Sequence, residues 1–290
     1  MNRDFAIITD SGCDMPAEFL QDNAVACVRL GFTMQNVHYE GESGEHISVQ
    51  DFYAKLRSGA MPTTYQVTGE TAKRYMEKPL KEGKDVLVIA FSSALSGTAS
   101  SFFVAKRELS KKYPKRKIHV VDSLCASMGQ GLLLYYVLQK AESGADIDAT
   151  ARYAEKIKDK ICHHFTVDNL FHLKRGGRVS TTTALVGSIL KIKPVLRVNA
   201  EGKLVTCGKA MGRKKSLNAL VDRFALNRDV EETGPVFISH GDCIEDAEYV
   251  KNAVLKIAPK TPITIGCIGA VIGSHSGAGT VALFHKGKQK

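Results

Sequence analysis

A histidine near the end of the chain lies in a stretch of small residues. Residues 272–280 read IGSHSGAGT, and His275 is the one titratable side chain among them. Glycine allows close backbone approach and positive φ angles, so such a loop can wrap a small polar group and direct His275 at it. The pattern predicts an anion-binding loop, although a structural histidine held by hydrogen bonds would have the same sequence.

Two further segments offer hydroxyl and backbone N–H groups. Residues 62–66 read PTTYQ and residues 92–98 read SSALSGT. Ser96 and Thr98 would open a helix, and the free N–H groups and positive dipole at a helix start favour an anion. Together with His275 these groups suit a carboxylate. Taken singly they are weaker, because Ser96 could be an ordinary helix cap and Thr64 a turn residue.

Several kinds of catalytic or metal site are not indicated. No serine of these three segments lies in a G-x-S-x-G elbow, the motif of a serine nucleophile. The nucleotide-binding motifs G-x-G-x-x-G and G-x-x-x-x-G-K-[ST] do not occur either. His163 and His164 are neighbours on a predicted strand and would face opposite ways, so no metal role is expected for the pair. Asp10 and Asp122 follow predicted strands, and we interpret them as acceptors that order the adjacent loops.

The bulk composition indicates a globular protein with a basic surface. The chain has 290 residues, 44% of them hydrophobic, and a net charge of +10. The seven cysteines are never spaced C-x-x-C, which argues against disulfides or zinc. No signal peptide or membrane span is recognised. We therefore expect a cytoplasmic protein with reduced thiols.

The excess positive charge is concentrated in a few clusters, at 106–117, 174–178, 209–215 and 286–290. Such patches attract nucleic acid, anionic lipid or acidic proteins, but a solvated helix face is the simpler interpretation. No helix-turn-helix pattern or interleaved aromatic residues accompany them, so a nucleic-acid partner is not expected. A transient contact with a membrane surface stays open.

The order of predicted elements is typical of an α/β fold. Strands at 5–9, 24–30, 86–91 and 118–121 alternate with helices at 68–81, 98–112, 132–141 and 147–161, which predicts a parallel sheet. The second half mixes a hairpin at 194–209, helices at 182–190, 216–223 and 245–257, and strands at 235–239, 263–267 and 281–284. Ligands of open α/β sheets bind beyond the carboxyl ends of strands, where the 92–98 loop would lie.

These segments, in this order, resemble the DegV family over residues 4–285. The matching pieces are TDS at 9–11, T-x-Q at 64–66, SS-x-LSGT at 92–98, VDS at 121–123, LKRGGR at 173–178, KPVL at 193–196, HGD at 240–242 and IG-x-H-x-G-x-G at 272–279. The resemblance implies two α/β domains of the dihydroxyacetone-kinase/DegV type, at 1–165 and 166–290, with the ligand pocket at their interface. It also implies binding of a long-chain fatty acid and no other cofactor.

The resemblance further implies roles for individual residues. Thr64, Ser96 and His275 would hold the carboxylate, and the acyl chain would lie in the C-terminal domain. The supporting pocket residues would be Ser93, Gly97, Thr98, Tyr65 and Ser274. In some bacteria, members of this family are the fatty-acid-binding subunits of a two-part, ATP-dependent fatty acid kinase. The candidate docking residues for such a kinase are Lys174, Arg175 and Arg178, and this chain itself would not be an enzyme.

The sequence departs from the family pattern beside two of these residues. Tyr65 and Val67 replace the usual Ser and Pro, and Ser276 and Ala278 replace Thr and Pro. Tyr65 alters the expected shape and polarity of the pocket mouth. A protonated His275 would complement a carboxylate, and its pKa would rise on binding. The alternative function is a dihydroxyacetone-kinase-like subunit for phosphotransfer to a small molecule, with His275 as the reactive residue.

Overall fold

The computed structural model describes residues 3–41, 43–180, 192–230 and 234–290. The strands are β1 (Phe5–Asp10), β2 (Val25–Val28), β3 (Gly31–Met34), β4 (Val37–Glu40), β5 (Thr63–Tyr65), β6 (Asp85–Ala90), β7 (Ile118–Asp122), β8 (Ile161–Thr166), β9 (Ile192–Val198), β10 (Leu204–Met211), β11 (Val236–His240), β12 (Ile263–Cys267) and β13 (Val281–Lys286). The α-helices are α1 (Ala17–Asp22), α2 (Val49–Arg57), α3 (Gly69–Lys81), α4 (Thr98–Lys112), α5 (Met128–Glu142), α6 (Ile147–Ile157), α7 (Phe171–Arg175), α8 (Arg213–Asn227), α9 (Ile244–Ile257) and α10 (Ala270–Ser276).

The first half of the chain forms the parallel sheet that its alternating pattern predicts. The strand order is β2-β1-β6-β7, and each neighbouring pair is parallel. Strand β6 is apolar and almost wholly buried, as expected of a strand covered on both faces. Helices α3 and α4 cover one face and α5 and α6 cover the other.

A small antiparallel sheet, of order β4-β3-β5, was not apparent from the sequence. Its strands are only three or four residues long, too short to show a clear alternation. The strand predicted at 24–30 ends at Val28, and the chain then turns into β3. This sheet matters because β5 carries Thr64, which pairs with Phe32 of β3.

The second half forms a six-stranded sheet of order β10-β9-β8-β13-β11-β12. Its β9–β10 pairing confirms the predicted hairpin, and its pairs are antiparallel except β11–β12. The predicted helix at 147–161 ends at Ile157, and Ile161 begins β8 instead. Since β8 pairs along its length with β13, a division at 165/166 cuts through this strand. The helix predicted at 182–190 lies outside the described residues.

Helix α5 joins the two halves of the molecule. Its apolar residues share one core with Ile7 and Ile89 of the first sheet and with Phe237 and Phe284 of the second. A helix that is apolar all round is typical of a protein interior. Within the described ranges, no helix has the length and apolar character needed to cross a membrane. The mixed α/β architecture predicted from the sequence is confirmed.

Candidate ligand-binding site

A cavity lies between the two larger sheets, at the carboxyl end of β6. It encloses about 970 Å³ of empty space, a volume that includes solvent at its open side. Its lining comes from both halves of the chain and is mainly apolar. The apolar side chains in the wall include Leu30, Phe91, Leu95, Phe165, Leu173, Val198, Leu204, Ile268, Val271, Ile272, Ala282 and Phe284.

Thr64 and His275 meet at this cavity from opposite halves of the chain. The Thr64 Oγ1 atom lies 2.8 Å from His275 Nε2, and both residues line the wall. The loop predicted at 272–280 is partly helical, because α10 runs to Ser276 and places His275 in its last turn. The helix ends at Gly277, where φ is +82°, a conformation that favours glycine.

The ring of His275 packs against residues 175–176, which are distant from it in sequence. A Cβ atom on Gly176 would lie 2.1 Å from His275 Nδ1, so only glycine allows this approach. The Arg175 guanidinium donates hydrogen bonds to the carbonyls of Pro62, at 2.8 Å, and Ser274, at 3.3 Å. Arg175 therefore ties the segment before β5 to α10.

The electrostatics of the site differ from the expectation of a protonated histidine. Burial, with the positive charges of Arg178 and Arg175, lowers the pKa of His275 to about 4. The imidazole of the free protein is therefore neutral at pH 7. Arg178 lines the cavity and supplies the permanent positive charge instead. Its Nε donates to Leu95 O at 3.0 Å, which holds it beside the 92–98 loop.

The 92–98 loop presents Ser96 and Gly97 to the cavity. Gly97 is the N-cap of α4, and Ser96 Oγ lies 3.0 Å from Thr98 Oγ1. The proposed loop-ordering roles of two aspartates are confirmed. Asp10 accepts from the N–H of Gly12 and Phe91, at 3.0 and 2.8 Å, and Asp122 accepts from the N–H of Ser93 and Leu124.

Asp14, which sequence reasoning missed, connects three elements next to the lining residue Ser127. Its carboxylate accepts from the N–H of Gly269, just before α10, at 3.0 Å and from the Ser127 hydroxyl, just before α5, at 2.6 Å. Burial raises the pKa of Asp14 to about 7. No motif marks it, because its partners are more than 100 residues away.

The remaining predicted residues fall into two groups. Tyr65 lines the cavity mouth, where its ring covers Gly31. Ser93, Thr98 and Ser274 do not belong to the described lining: Ser93 is exposed, Thr98 is buried behind the loop, and the Ser274 hydroxyl donates to Ala270 O within α10.

The three basic residues predicted as a docking surface differ in their contacts. Lys174 and Arg175 are exposed and Arg178 is half-buried, and the guanidinium groups of Arg175 and Arg178 bond to the site as described above. Polar lining residues that the sequence did not indicate include Ser127, His163 and Ser239. They come from three different elements and become neighbours only through the fold.

Known proteins resemble this chain along almost its whole length. Residues 4–287 match a family described as uncharacterised proteins of the DegV family. A DegV domain-containing protein of Clostridium perfringens is 43% identical over 286 residues, which cover 99% of this chain and 98% of the relative.

Two solved structures share the fold. A DegV family protein of Thermus thermophilus, described as fatty acid binding, matches with a TM-score of 0.86 at 28% identity, covering 99% of this chain and all of the other. A DegV lipid-binding protein of Thermotoga maritima matches with a TM-score of 0.84 at 27% identity, covering 99% of both chains. The chain belongs to the DegV family.

Proposed function

We propose that this protein binds one long-chain fatty acid in the cavity between its sheets. The observation that carries the proposal is a cluster of polar groups in a mainly apolar lining. Thr64 contacts His275, Arg178 bonds to the loop that carries Ser96, and most of the remaining wall is apolar. A molecule with one anionic end and a long apolar body matches this arrangement.

The carboxylate would bind between the two halves of the chain. Thr64 and Ser96 offer hydroxyl donors, and His275 offers an N–H in its neutral form. Arg178 would balance the charge, and charge-assisted hydrogen bonds are stronger than neutral ones. The negative charge would also raise the pKa of His275 from its low value in the free protein.

The acyl chain would provide most of the binding free energy. Burial of each methylene contributes about 0.8 kcal/mol, so the ~14 methylenes of a 16-carbon acid give a gross term of about 11 kcal/mol before the costs of binding. A small polyol would leave the same apolar wall in contact with water. The lining therefore favours the lipid over a dihydroxyacetone-like substrate.

The relatives support this proposal, since the Thermus and Thermotoga proteins are described as binding fatty acid or lipid. By analogy with the family, we further propose that this chain presents its fatty acid to a separate ATP-dependent kinase. The exposed Lys174 lies beside the cavity, in the segment that holds His275. It would contact the partner, whereas Arg178 would contact the ligand.

A competition titration tests the binding step. Delipidated protein is titrated with a fluorescent fatty acid and then with palmitate, hexadecanol or dihydroxyacetone as competitors. We expect palmitate to displace the probe at stoichiometric concentration, hexadecanol to do so more weakly, and dihydroxyacetone to have no effect. Displacement by dihydroxyacetone, or no probe binding at all, would contradict the proposal.

A reconstituted reaction tests the kinase step separately. Loaded protein, ATP and a fatty acid kinase subunit are combined, and acyl phosphate is trapped with hydroxylamine. We expect Lys174→Glu to slow acyl phosphate formation while palmitate affinity stays unchanged. If the charge reversal leaves the rate unchanged, Lys174 is not part of the docking surface.

A further inference from the structure

A second group of polar side chains lies on the opposite face of the second sheet from the cavity. Cys162 and His164 are alternate residues of β8, and His285 of β13 is the register partner of Cys162. Alternate residues of a strand share a face, so these three side chains come together beneath α8, where Phe224 packs on His285. His163, between them, faces the cavity instead.

The donor atoms of this cluster are close together, and those of the two histidines are poorly satisfied. One ligand atom from each residue lies within 4.8 Å of the other two, and all three residues are at least 95% buried. Neither ring nitrogen of His164 has a hydrogen-bond partner in the described part of the chain, and the same holds for His285 Nε2. A buried polar group without a partner costs about 1–3 kcal/mol, and a bound ion is one of the few ways to satisfy it.

Neighbouring groups orient two of the three side chains as ligands. His285 Nδ1 lies 3.2 Å from the carbonyl oxygen of Lys286. An imidazole that donates there keeps a lone pair on Nε2, which is the usual arrangement of a metal-bound histidine. The Asn227 amide donates to Cys162 Sγ at 3.1 Å, and such a bond would stabilise a thiolate. The thiol itself donates to Gln289 O at 3.3 Å, and this bond is lost when the metal replaces the proton.

We propose that Cys162, His164 and His285 bind one copper(I) ion. A thiolate and imidazoles are ligands that copper and zinc share. The cluster holds three ligands, however, and structural zinc sites are almost always four-coordinate. The charged side chains that act on His164 and Cys162, those of Arg197, Arg223 and Lys290, are all positive.

Charge balance favours the monovalent ion. With copper(I), the single thiolate makes a neutral complex, and the thiol proton leaves to solvent. With zinc(II), the complex would keep a positive charge, which is costly in a buried site among cations. The ion also satisfies His164, whose ring breaks no hydrogen bond when it turns towards the metal.

The geometry requires only a local adjustment. Metal–nitrogen and metal–sulfur bonds of about 2.0 and 2.3 Å place the donors of a trigonal site about 3.5 Å apart. Contraction of the cluster by about 1 Å is within the reach of side-chain rotation about χ1 and χ2. The two strands that carry the ligands are already paired, so the backbone need not move.

Anaerobic copper(I) titration against a chromogenic chelator tests the proposal. We expect one tightly bound equivalent in the reduced full-length protein, with affinity at least 100-fold lower in Cys162→Ser and His164→Gln. Cys207→Ser is the matched control, since this thiol is also partly buried beside Arg223 but lies outside the cluster. Its affinity should equal that of the wild type.

X-ray absorption at the copper edge provides a readout that needs no variant. The expected shell is one sulfur and two imidazole nitrogens. A shell of sulfur alone, copper affinity that is unchanged in the two ligand variants, or an equal loss in the Cys207 control would overturn the proposal. So would the absence of a stoichiometric equivalent. Because Cys162 and His164 face away from the cavity, none of these results depends on fatty acid binding.

Discussion

At the scale of single residues, the polar end of the cavity combines a neutral imidazole with a permanent charge. His275 has a pKa of about 4 because it is buried near Arg178 and Arg175. A neutral histidine donates or accepts a hydrogen bond but does not balance a carboxylate. In the proposed complex, recognition of the carboxylate charge would rest on Arg178, while His275 and Thr64 would orient the carboxylate by hydrogen bonds.

This division of roles predicts that loss of the Arg178 charge weakens the binding of a fatty acid more than that of the corresponding alcohol. Arg178→Gln should weaken palmitate binding by a factor of about 10 to 100, which corresponds to the loss of one hydrogen bond to a charged group. Hexadecanol binding should change much less, because the alcohol is neutral. Arg178→Lys is the matched control and should keep most of the preference for acid over alcohol. Equal losses for both ligands in Arg178→Gln would contradict this account.

The residues at this site were predictable from the sequence only in part. Thr64, Ser96 and His275 stand in recognisable motifs, and all three line the cavity. Arg178 stands in a motif too, but only the fold reveals that its side chain turns into the cavity. Asp14 carries no motif, because its partners at Ser127 and Gly269 come from distant parts of the chain.

At the scale of elements, the site depends on how α10 is held against the rest of the molecule. Asp14 bonds to the start of this helix, and Gly176 allows α7 to approach its end. The helix itself is short and rich in small residues, which have little intrinsic helical stability. Its position, and so that of His275, is therefore set by these contacts.

Gly176→Ala tests the contact at the end of α10. The new Cβ would lie 2.1 Å from His275 Nδ1, so the ring must move away from Thr64. We expect palmitate affinity to fall about 10-fold or more, the cost of a hydrogen bond to a carboxylate. Gly177→Ala is the control: it strains a residue with φ of +71° but meets no atom within 4 Å. It should lower stability by about 1 kcal/mol and leave affinity unchanged; equal affinity losses in both would refute the prediction.

The contact of Asp14 at the start of α10 is tested by the pH dependence of stability, compared between the wild type and Asp14→Asn. The folded-state pKa of Asp14, about 7, lies above the unfolded value of about 4. Between these values the folded protein holds a proton that the unfolded chain releases. Asp14 therefore makes the protein less stable as pH rises from 4 to 7, by at most about 1.4 kcal/mol per pH unit.

Urea unfolding at pH 5 to 8 measures this effect. The free energy of unfolding of the wild type, minus that of Asp14→Asn, should fall with rising pH and level off above pH 7. The subtraction cancels the contributions of the buried histidines, which are present in both proteins. Their lowered pKa values make the folded state more stable as pH rises, the opposite of the effect of Asp14. Parallel pH profiles for the two proteins would show that Asp14 does not titrate in this range.

Helices and strands were predicted correctly where the hydrophobic pattern is long. The prediction failed where tertiary contacts determine the secondary structure of a short segment. Strands such as β6 and helices such as α4 follow directly from the pattern. The sheet of β3, β4 and β5 is built from segments too short for periodicity. Helix α10 looked like a loop because glycine and serine dominate residues 272–280, in which it ends, and long-range contacts override their low helix propensity.

At the scale of the whole molecule, α5 packs against both larger sheets, and the cavity lies between the same two sheets. The apolar core that surrounds this helix is shared between the sheets, and the cavity opens beside it. The sequence indicates two α/β halves, but it cannot show the space between them. The same limit applies to the copper site, because strand pairing alone brings His285 to Cys162.

A chain-length series tests the cavity as a whole. If the acyl chain lies between the sheets, each added methylene should raise affinity by a factor of up to about 4, the equivalent of 0.8 kcal/mol. The rise should continue from 10 carbons until the chain fills the space, and then stop. Competition titrations with saturated acids measure the slope. An affinity that does not depend on chain length would place the apolar body of the ligand outside the cavity.

Native mass spectrometry of the purified protein, with analysis of the organic extract, tests the central claim most directly. The account predicts one fatty acid of about 14 to 18 carbons per chain, since each buried methylene adds to its retention. The combined variant Thr64→Val/Ser96→Ala/His275→Ala should carry much less of it. A protein that carries no fatty acid and takes up none when it is supplied would contradict the account, as would a combined variant that retains a full equivalent.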